Sequence, residues 1–379
     1  MKKGIYLVTE RACFNPTTGA YRHIHTGLSE LTKYYHIELI KGFKEDNTEL
    51  KSSLTKPVLN IVRSTSGMWG VLRDLKILIV NLTYLTPLFE QIKKTQADFI
   101  YERAAYLNFN GLIVSKLLKI SHFYEANGIQ HEGRSVYYTS WFKPLAAWLE
   151  RQMYSRSDFV FFVGSYGAYF KLTTPNWKNI ENGIETGLIN HFRELEKPTP
   201  SQKVNMCFIA SLMAHHRPDV LMEALKKISN KKSMCLHLIG ANLSPIELAL
   251  QGEIEIVNHG FLNRERLAEV MKQMHVGLIA GSPPFNSNMK LLDYACAKCI
   301  IIAPNVYNIM HWFSETEIVF FQKGQSSDMA HKIEYVITNY GEVSKKGNRL
   351  YERVAREFTW EQIFTGIKDD LDKILTKHH

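Results

Sequence analysis

Two kinds of hydrophobic spacing take turns along this chain. Short runs of consecutive apolar residues, each ended by polar or glycine positions, alternate with longer stretches whose apolar residues recur every three to four positions. In the first half GIYLVTE reads as a strand, RACFNPTTG as a loop and the segment from about Ala20 to Lys33 as a helix. The strand HIELI follows, then a polar stretch and an apolar helix over Met68 to Lys94. Strand DFIYERA, helix FNGLIVSKLLK, strand SHFYEAN, a helix through WFKPLAAWLERQMY, strand DFVFFVG and the short strand KNIENGI complete this half. The stretch ETGLINHFRELEKPTPSQ is polar and proline-bearing with no periodic apolar face, which predicts a linker. The alternation then restarts with VNMCFIAS, DVLMEALKKI, MCLHLIG, IEIVNHG, RERLAEVMKQM, VGLIAG, the helix NSNMKLLDYACAKC, CIIIAP, EIVFF and DMAHKIEYVITNY, and closes on two charged amphipathic helices around Phe358-Thr359-Trp360. Strands alternating with helices predict parallel α/β sheets. The restart predicts two such halves enclosing a cleft, with ligands bound beyond the carboxyl ends of the strands.

The length of 379 residues fits two or three domains. With 45% hydrophobic and 22% charged residues the chain is globular rather than disordered. Five cysteines, an odd number placed mostly in predicted strands and helices, point to a reducing compartment. Cys296 and Cys299 have CxxC spacing, but no second pair or histidine cluster completes a zinc site, so core packing is expected of them. MKKGIYLVTE is too short and too quickly polar for a signal peptide. The apolar region from Met68 to Ile92 carries Arg73, Asp74, Lys76 and Glu90, which predicts an amphipathic or buried helix rather than a membrane span. The expectation is a cytoplasmic protein.

Charge is uneven. Through Glu185 there are 23 Lys+Arg against 16 Asp+Glu, and after it 23 against 21, so most of the net +9 lies in the first half. That excess points to an anionic partner there. No basic run with interleaved aromatics argues for nucleic acid. An anionic membrane surface or a lipid-diphosphate substrate fits the excess instead, with the Arg134–Arg151 stretch and the helix after Met68 as the surfaces for peripheral contact.

Six segments, LERQMYSRSDFVFFVGS, ENGIET, FIASLMAHHRPDVLMEAL, HGFLNRERLAEVM, SNMKLLDYACAKCIIIAP and the late FTW, stand in an order and at separations that resemble the retaining glycosyltransferases of family 4. A glucuronosyltransferase family of the same fold has a similar SxMKLLxY segment and is the second choice. The resemblance implies the GT-B fold, two Rossmann-like domains facing a central cleft, here over residues 1–186 (acceptor side) and 187–357 (donor side), with a C-terminal helix from 358 to 379 returning to the first.

By that resemblance Asp293 accepts hydrogen bonds from ribose hydroxyls, and Lys290, one turn earlier, meets the donor diphosphate. Backbone groups around Ser287 and Asn288 add to this, since a helix N-terminus attracts anions. The plainer alternative is an exposed helical pair of Lys290 and Asp293, worth about 0.3–0.5 kcal/mol. The family pairs two acids seven residues apart, but the earlier position here is Phe285, so the donor-sugar contact differs. After FIAS, His215, His216 and Arg217 are the basic candidates for the diphosphate, with His216 aligning best, against a solvated loop or a metal half-site at His215-His216. Gly240, His259, Gly260 and Phe261 fall where the family holds the base. In the first half Gly19 and Ala20 match the glycine-rich turn facing the diphosphate. YEANGIQHE places Glu125, Asn127 and Glu132 near the reacting centre, and an inverting enzyme would draw its base from Glu125, His131 or Glu132.

The resemblance thus implies transfer of a sugar from a nucleotide diphosphate sugar to an acceptor hydroxyl with retention and without a metal or other cofactor, and the basic first half with its apolar helix points to a lipid-linked or cell-surface glycan intermediate as the acceptor. A nucleotide-sugar epimerase of the same fold and a non-catalytic binding protein remain the alternatives. Base, sugar and acceptor are not fixed by the sequence.

Overall fold

The computed structural model describes residues 1–15, 18–43, 67–135, 141–167, 176–200, 203–283 and 287–377. Phe285, singled out above, and Asn286 lie outside these. The chain divides into two compact units, Met1–Ile180 with Phe364–His379, and Glu181–Ile363.

The first unit is built on six strands, β1 (Lys3–Val8), β2 (His36–Lys41), β3 (Phe99–Arg103), β4 (Ser121–Ala126), β5 (Phe159–Val163) and β6 (Trp177–Ile180). They form one sheet in the order β2-β1-β3-β4-β5-β6, every pair parallel. β3 and β4 are buried along their whole length, so neither alternates, and their polar residues Glu102, Arg103, His122 and Glu125 are buried with them. Helices α1 (Gly19–Thr32), α2 (Gly67–Thr95), α3 (Asn110–Leu118), α4 (Gln130–Ser135) and α5 (Lys143–Arg156) connect them. α2 docks through Leu88 and Ile92 against Ile5, Leu7, Ile40 and Ile100. No helix among the described residues is long and apolar enough to cross a membrane.

The second unit repeats the plan with β7 (Val204–Ile209), β8 (Met234–Ile239), β9 (Glu255–Gly260), β10 (Val276–Leu278), β11 (Ile300–Pro304) and β12 (Val319–Phe321). Their order is β12-β11-β10-β7-β8-β9, again parallel throughout. The two-residue strand period puts Met206 and Phe208 in one core cluster and Cys207 in another. Around the sheet lie α6 (Thr186–Phe192), α7 (Pro218–Lys227), α8 (Ser244–Ala249), α9 (Arg264–Met271), α10 (Met289–Cys296), α11 (Tyr307–Trp312), α12 (Ser326–Thr338) and α13 (Tyr340–Glu357). The last helix, α14 (Trp360–Leu375), starts in this unit, and from Phe364 onward its residues belong to the first. There Phe364 closes on Gly27 and Asp372 accepts from the Tyr35 hydroxyl at 2.7 Å.

Two expectations need correction. The stretch taken as a linker contains α6, whose Ile189 and Phe192 are buried in the core of the second unit. Two anchors one turn apart are too few to show as a periodic face. Glu181–Ile184 also belong to the second unit, because Ile184 pairs with Thr359 as an isolated bridge, so the division falls at Ile180 rather than 186. The short helices α8 and α11 went unread for the same reason as α6. Cys296 and Cys299 are buried in the core, the other three cysteines are buried too, and none forms a disulfide.

Candidate functional site

In the second unit the strand order reverses between β7 and β10, so the crevice beyond their carboxyl ends is where an open α/β sheet takes a ligand. Two segments border it, one running from Ala210 to Arg217 and one from Ile279 to Pro283. They touch at Gly281, where a Cβ would lie 2.5 Å from Cγ of Arg217 and 2.6 Å from the carbonyl oxygen of His215. Only glycine lets them meet so closely.

Lys290 stands in the first turn of α10. The residue is half-buried, but its amine is shut from solvent and has no hydrogen-bond partner. It lies 5.7 Å from the centroid of the Phe208 ring. Desolvation pulls its pKa down to about 7. The same charge, after desolvation, depresses His215 and His216, with His216 at about 4. The structure thus brings Lys290, His215 and His216 within electrostatic reach of one another at an α-helix N-terminus. His216 Nδ1 is 2.8 Å from the carbonyl of Ser211, which fixes that nitrogen as the donor. Arg217, by contrast, is exposed and forked onto Asp219 at 2.6–3.0 Å.

Asp293, one turn after Lys290, accepts from Arg264 at 2.6 Å, and the other arm of Arg264 reaches Glu185 at 2.9 Å. The plainer alternative, an exposed pair of Lys290 with Asp293, is not formed: Asp293 pairs with Arg264, and the Lys290 amine has no hydrogen-bond partner. Ser287 donates to Glu181 and accepts from Asn182 Nδ2 at 2.6 Å. Glu181 is buried and shares a recess with Asn288, Leu292, Ile309 and Phe313. Burial raises its carboxyl to about 8 despite the hydrogen bond from the Asn182 amide. Of the base-side candidates, Gly240 has φ +136° and donates its amide to the carbonyl of Gly260 at 2.7 Å. His259 bonds His237 at 2.9 Å, and Phe261 is 63% exposed.

In the first unit Glu125, the penultimate residue of β4, is completely buried. It is 2.8 Å from His23 Nε2, accepts from Tyr101 at 2.7 Å and from Asn127 Nδ2 at 3.1 Å, and pairs with Arg103. Burial alone would raise its pKa, yet His23 and Arg103 hold it well below the usual carboxylate range. A carboxylate so engaged is a poor proton acceptor, and Asn127 is turned toward it. His131 and the amide of Gln130 are both tied to buried Glu150, at 2.6 and 2.9 Å, so that pair caps α4. Glu132 is exposed on α4. Gly19 and Ala20 open α1, where the Tyr21 amide is spent on Thr18 at 3.2 Å.

No group of three His, Cys, Asp or Glu among the described residues is arranged to hold a metal ion. A DxD triplet does occur, at Asp370-Leu371-Asp372 on α14. Its acids serve packing, Asp370 bonding Lys178 and Lys373 and Asp372 accepting from Tyr35.

Residues 217–369 match the family model described as glycosyl transferase-like. That stretch contains α10 and the whole loop between β10 and α10. The second unit carries a glycosyl transferase-like domain. Among curated proteins no sequence matches. Among solved structures, a glycosyltransferase from Rickettsia africae ESF-5 superposes with TM-score 0.71 at 14% identity, covering 99% of this chain and 98% of that one. Anabaena Alr3699/HepE in complex with UDP and glucose gives 0.65 at 12%, over 98% and 100%. The lipopolysaccharide outer core galactosyltransferase WaaB in its apo form gives 0.66 at 12%, over 98% and 99%. The fold is GT-B, with two Rossmann-like sheets.

Sequence reasoning missed Arg264, Glu185 and Glu181. Arg264 lay inside HGFLNRERLAEVM and Glu181 inside ENGIET, but their partners are 29 and 106 positions away. The one available signal was a buried-strand end carrying an acid, as in KNIENGI.

Proposed function

We propose that the protein is a glycosyltransferase that moves a sugar from a nucleotide diphosphate sugar to an acceptor hydroxyl. The observation that carries this reading is Lys290, a buried amine with no partner at the N-terminus of an eight-residue helix. Burying an ammonium without a counter-charge is costly, and a diphosphate beside it removes that cost. Support comes from the glycosyl transferase-like match over residues 217–369 and from a neighbour of the same fold that holds UDP and glucose.

In this reading the bond between the anomeric carbon and the diphosphate oxygen breaks while the acceptor oxygen bonds to that carbon, with retention. The acceptor's proton passes to the departing diphosphate. Lys290 and the amides opening α10 stabilise the charge that grows on the diphosphate, and His216 joins them once protonated. Asp293 takes ribose hydroxyls on the side away from Arg264. No protein base is needed, which agrees with Glu125 being locked in its ion pairs. The acceptor is a lipid-linked or cell-surface glycan intermediate, a class in keeping with a lipopolysaccharide galactosyltransferase among the structural neighbours.

The test is to incubate the protein with UDP-, GDP- and ADP-sugars and candidate acceptors and to follow released nucleotide diphosphate. Acceptor-dependent release supports transfer. Conversion of the donor sugar with no release would make it an epimerase, and a nucleotide-induced thermal shift with neither reaction would make it a binding protein.

A further inference from the structure

α2 is held to the first unit by one face only. Asp74 accepts from the Tyr106 hydroxyl at 2.9 Å, Asn81 donates to the carbonyl of Leu107 at 2.8 Å, and Leu88 and Ile92 enter the core. On the opposite face Leu72, Leu75, Ile79 and Leu82 follow the spacing i, i+3, i+7, i+10, a single row along the helix. All four are exposed, Leu72 by 50% and Leu82 by 59%. An apolar row turned to solvent on a well-docked helix is a surface without its partner.

The row has neighbours. The connections β2 to β3, β3 to β4 and β4 to β5 all step in the same direction across the sheet, so right-handed crossovers put α2, α3 and α5 on one face. Contacts agree: Asn110 of α3 donates to the carbonyl of Asn81, and Ile77 and Leu78 of α2 pack against a cluster that includes Ala146 of α5. On α3, Ile113 and Leu117 are exposed; on α5, Leu145 and Trp148 are. Among these side chains stand exposed Arg73, Lys76, Lys116, Lys119, Lys143 and Arg151. Glu90 is the one exposed carboxylate on the described parts of the three helices.

We infer that this face of the first unit docks on an anionic lipid bilayer. Aliphatic and tryptophan side chains enter the headgroup boundary while lysines and arginines meet lipid phosphates, the chemistry of an interfacial amphipathic surface. The charge argues against a second copy of the chain as occupant, since two such faces would repel. A purely ionic partner would leave the apolar row unused. This extends the lipid-linked reading of the acceptor, but it is read without donor or acceptor, so either can fail alone.

The experiment is flotation of the full chain with phosphatidylcholine vesicles and with vesicles also containing phosphatidylglycerol, alongside the tryptophan emission spectrum. The parent protein is expected to float with the anionic vesicles only, to be released by salt, and to show a blue shift that Trp148→Phe diminishes. The doubly substituted Leu75→Glu, Ile79→Glu protein is expected to melt like the parent and to bind at least about tenfold more weakly. Lys76→Glu should weaken binding and flatten its salt dependence. Absence of the parent from the anionic vesicle fraction, or equal flotation of the double variant, overturns the inference. So does light scattering that shows a parent dimer split by the double variant, which would assign the face to self-association.

Discussion

Arg264 holds Asp293 at 2.6 Å and Glu185 at 2.9 Å, linking the start of α9 to α10 and to the residue before α6. The carboxylate assigned to the ribose is therefore aimed by a guanidinium before any nucleotide arrives. Removing one partner of a charged hydrogen bond costs about 1.5–3 kcal/mol, roughly ten- to a hundredfold in affinity. Asp293→Ala should weaken nucleotide binding by that factor. Arg264→Ala should weaken it too, although it touches no ligand in this reading, while Glu185→Ala should matter least. Titration calorimetry with the nucleotide that gives the largest thermal shift orders the three; equal affinities would dismiss the aiming role.

Lys290→Met should move stability and activity in opposite directions. Methionine keeps much of the side-chain volume and removes an amine with no partner, so the ligand-free protein should melt higher. Transfer should fall by at least about a hundredfold if the amine stabilises the leaving diphosphate. A variant that melts lower and still turns over would refute both halves.

The pH dependence of donor binding follows from the same amine. Its pKa of about 7 in the free protein rises when a diphosphate sits beside it. Below pH 7 the amine is already charged and affinity is at its maximum. As pH rises above 7, binding must draw a proton from solution, and affinity falls toward the bound-state pKa. An intact nucleotide sugar has no terminal phosphate titrating in this range. Calorimetry at pH 8 in buffers of different ionisation heat should therefore show uptake of close to one proton by Lys290; at pH 6 the amine takes up little, and uptake there reports His216.

Glu181 is shifted the other way, upward, and acts on stability rather than on binding. Its folded pKa, about 8, lies above the ordinary carboxyl value of 4.5. The folded state binds more protons between those values, so this group's contribution to stability is complete below pH 4.5 and is lost as pH rises toward 8. Glu181→Gln keeps a carbonyl for Ser287 and the Asn182 amide without the charge. It should raise the melting temperature at pH 8 and leave it nearly unchanged at pH 5, flattening the profile between.

The alternation of strands and helices was legible because parallel strands covered on both faces must be apolar throughout, as in IIIAP of β11. Long helices were legible through their period, α2 and α13 among them. What escaped was short or distant. α6 has two anchors in seven residues, and no local pattern marks Arg264 or Glu150 as the residues that aim Asp293 and cap α4. Lys290 was found by resemblance, but its isolation was not: a lysine three positions before an aspartate invites a helical pair, and only the packing shows them facing apart.

That isolation reaches past the chemistry. A site whose amine lacks a counter-charge makes the empty protein less durable than the loaded one, because whatever binds only the folded state adds to its stability. The supply of donor in the cell would then set not only how fast the protein works but how long each copy escapes degradation, tying its abundance to the metabolite it consumes.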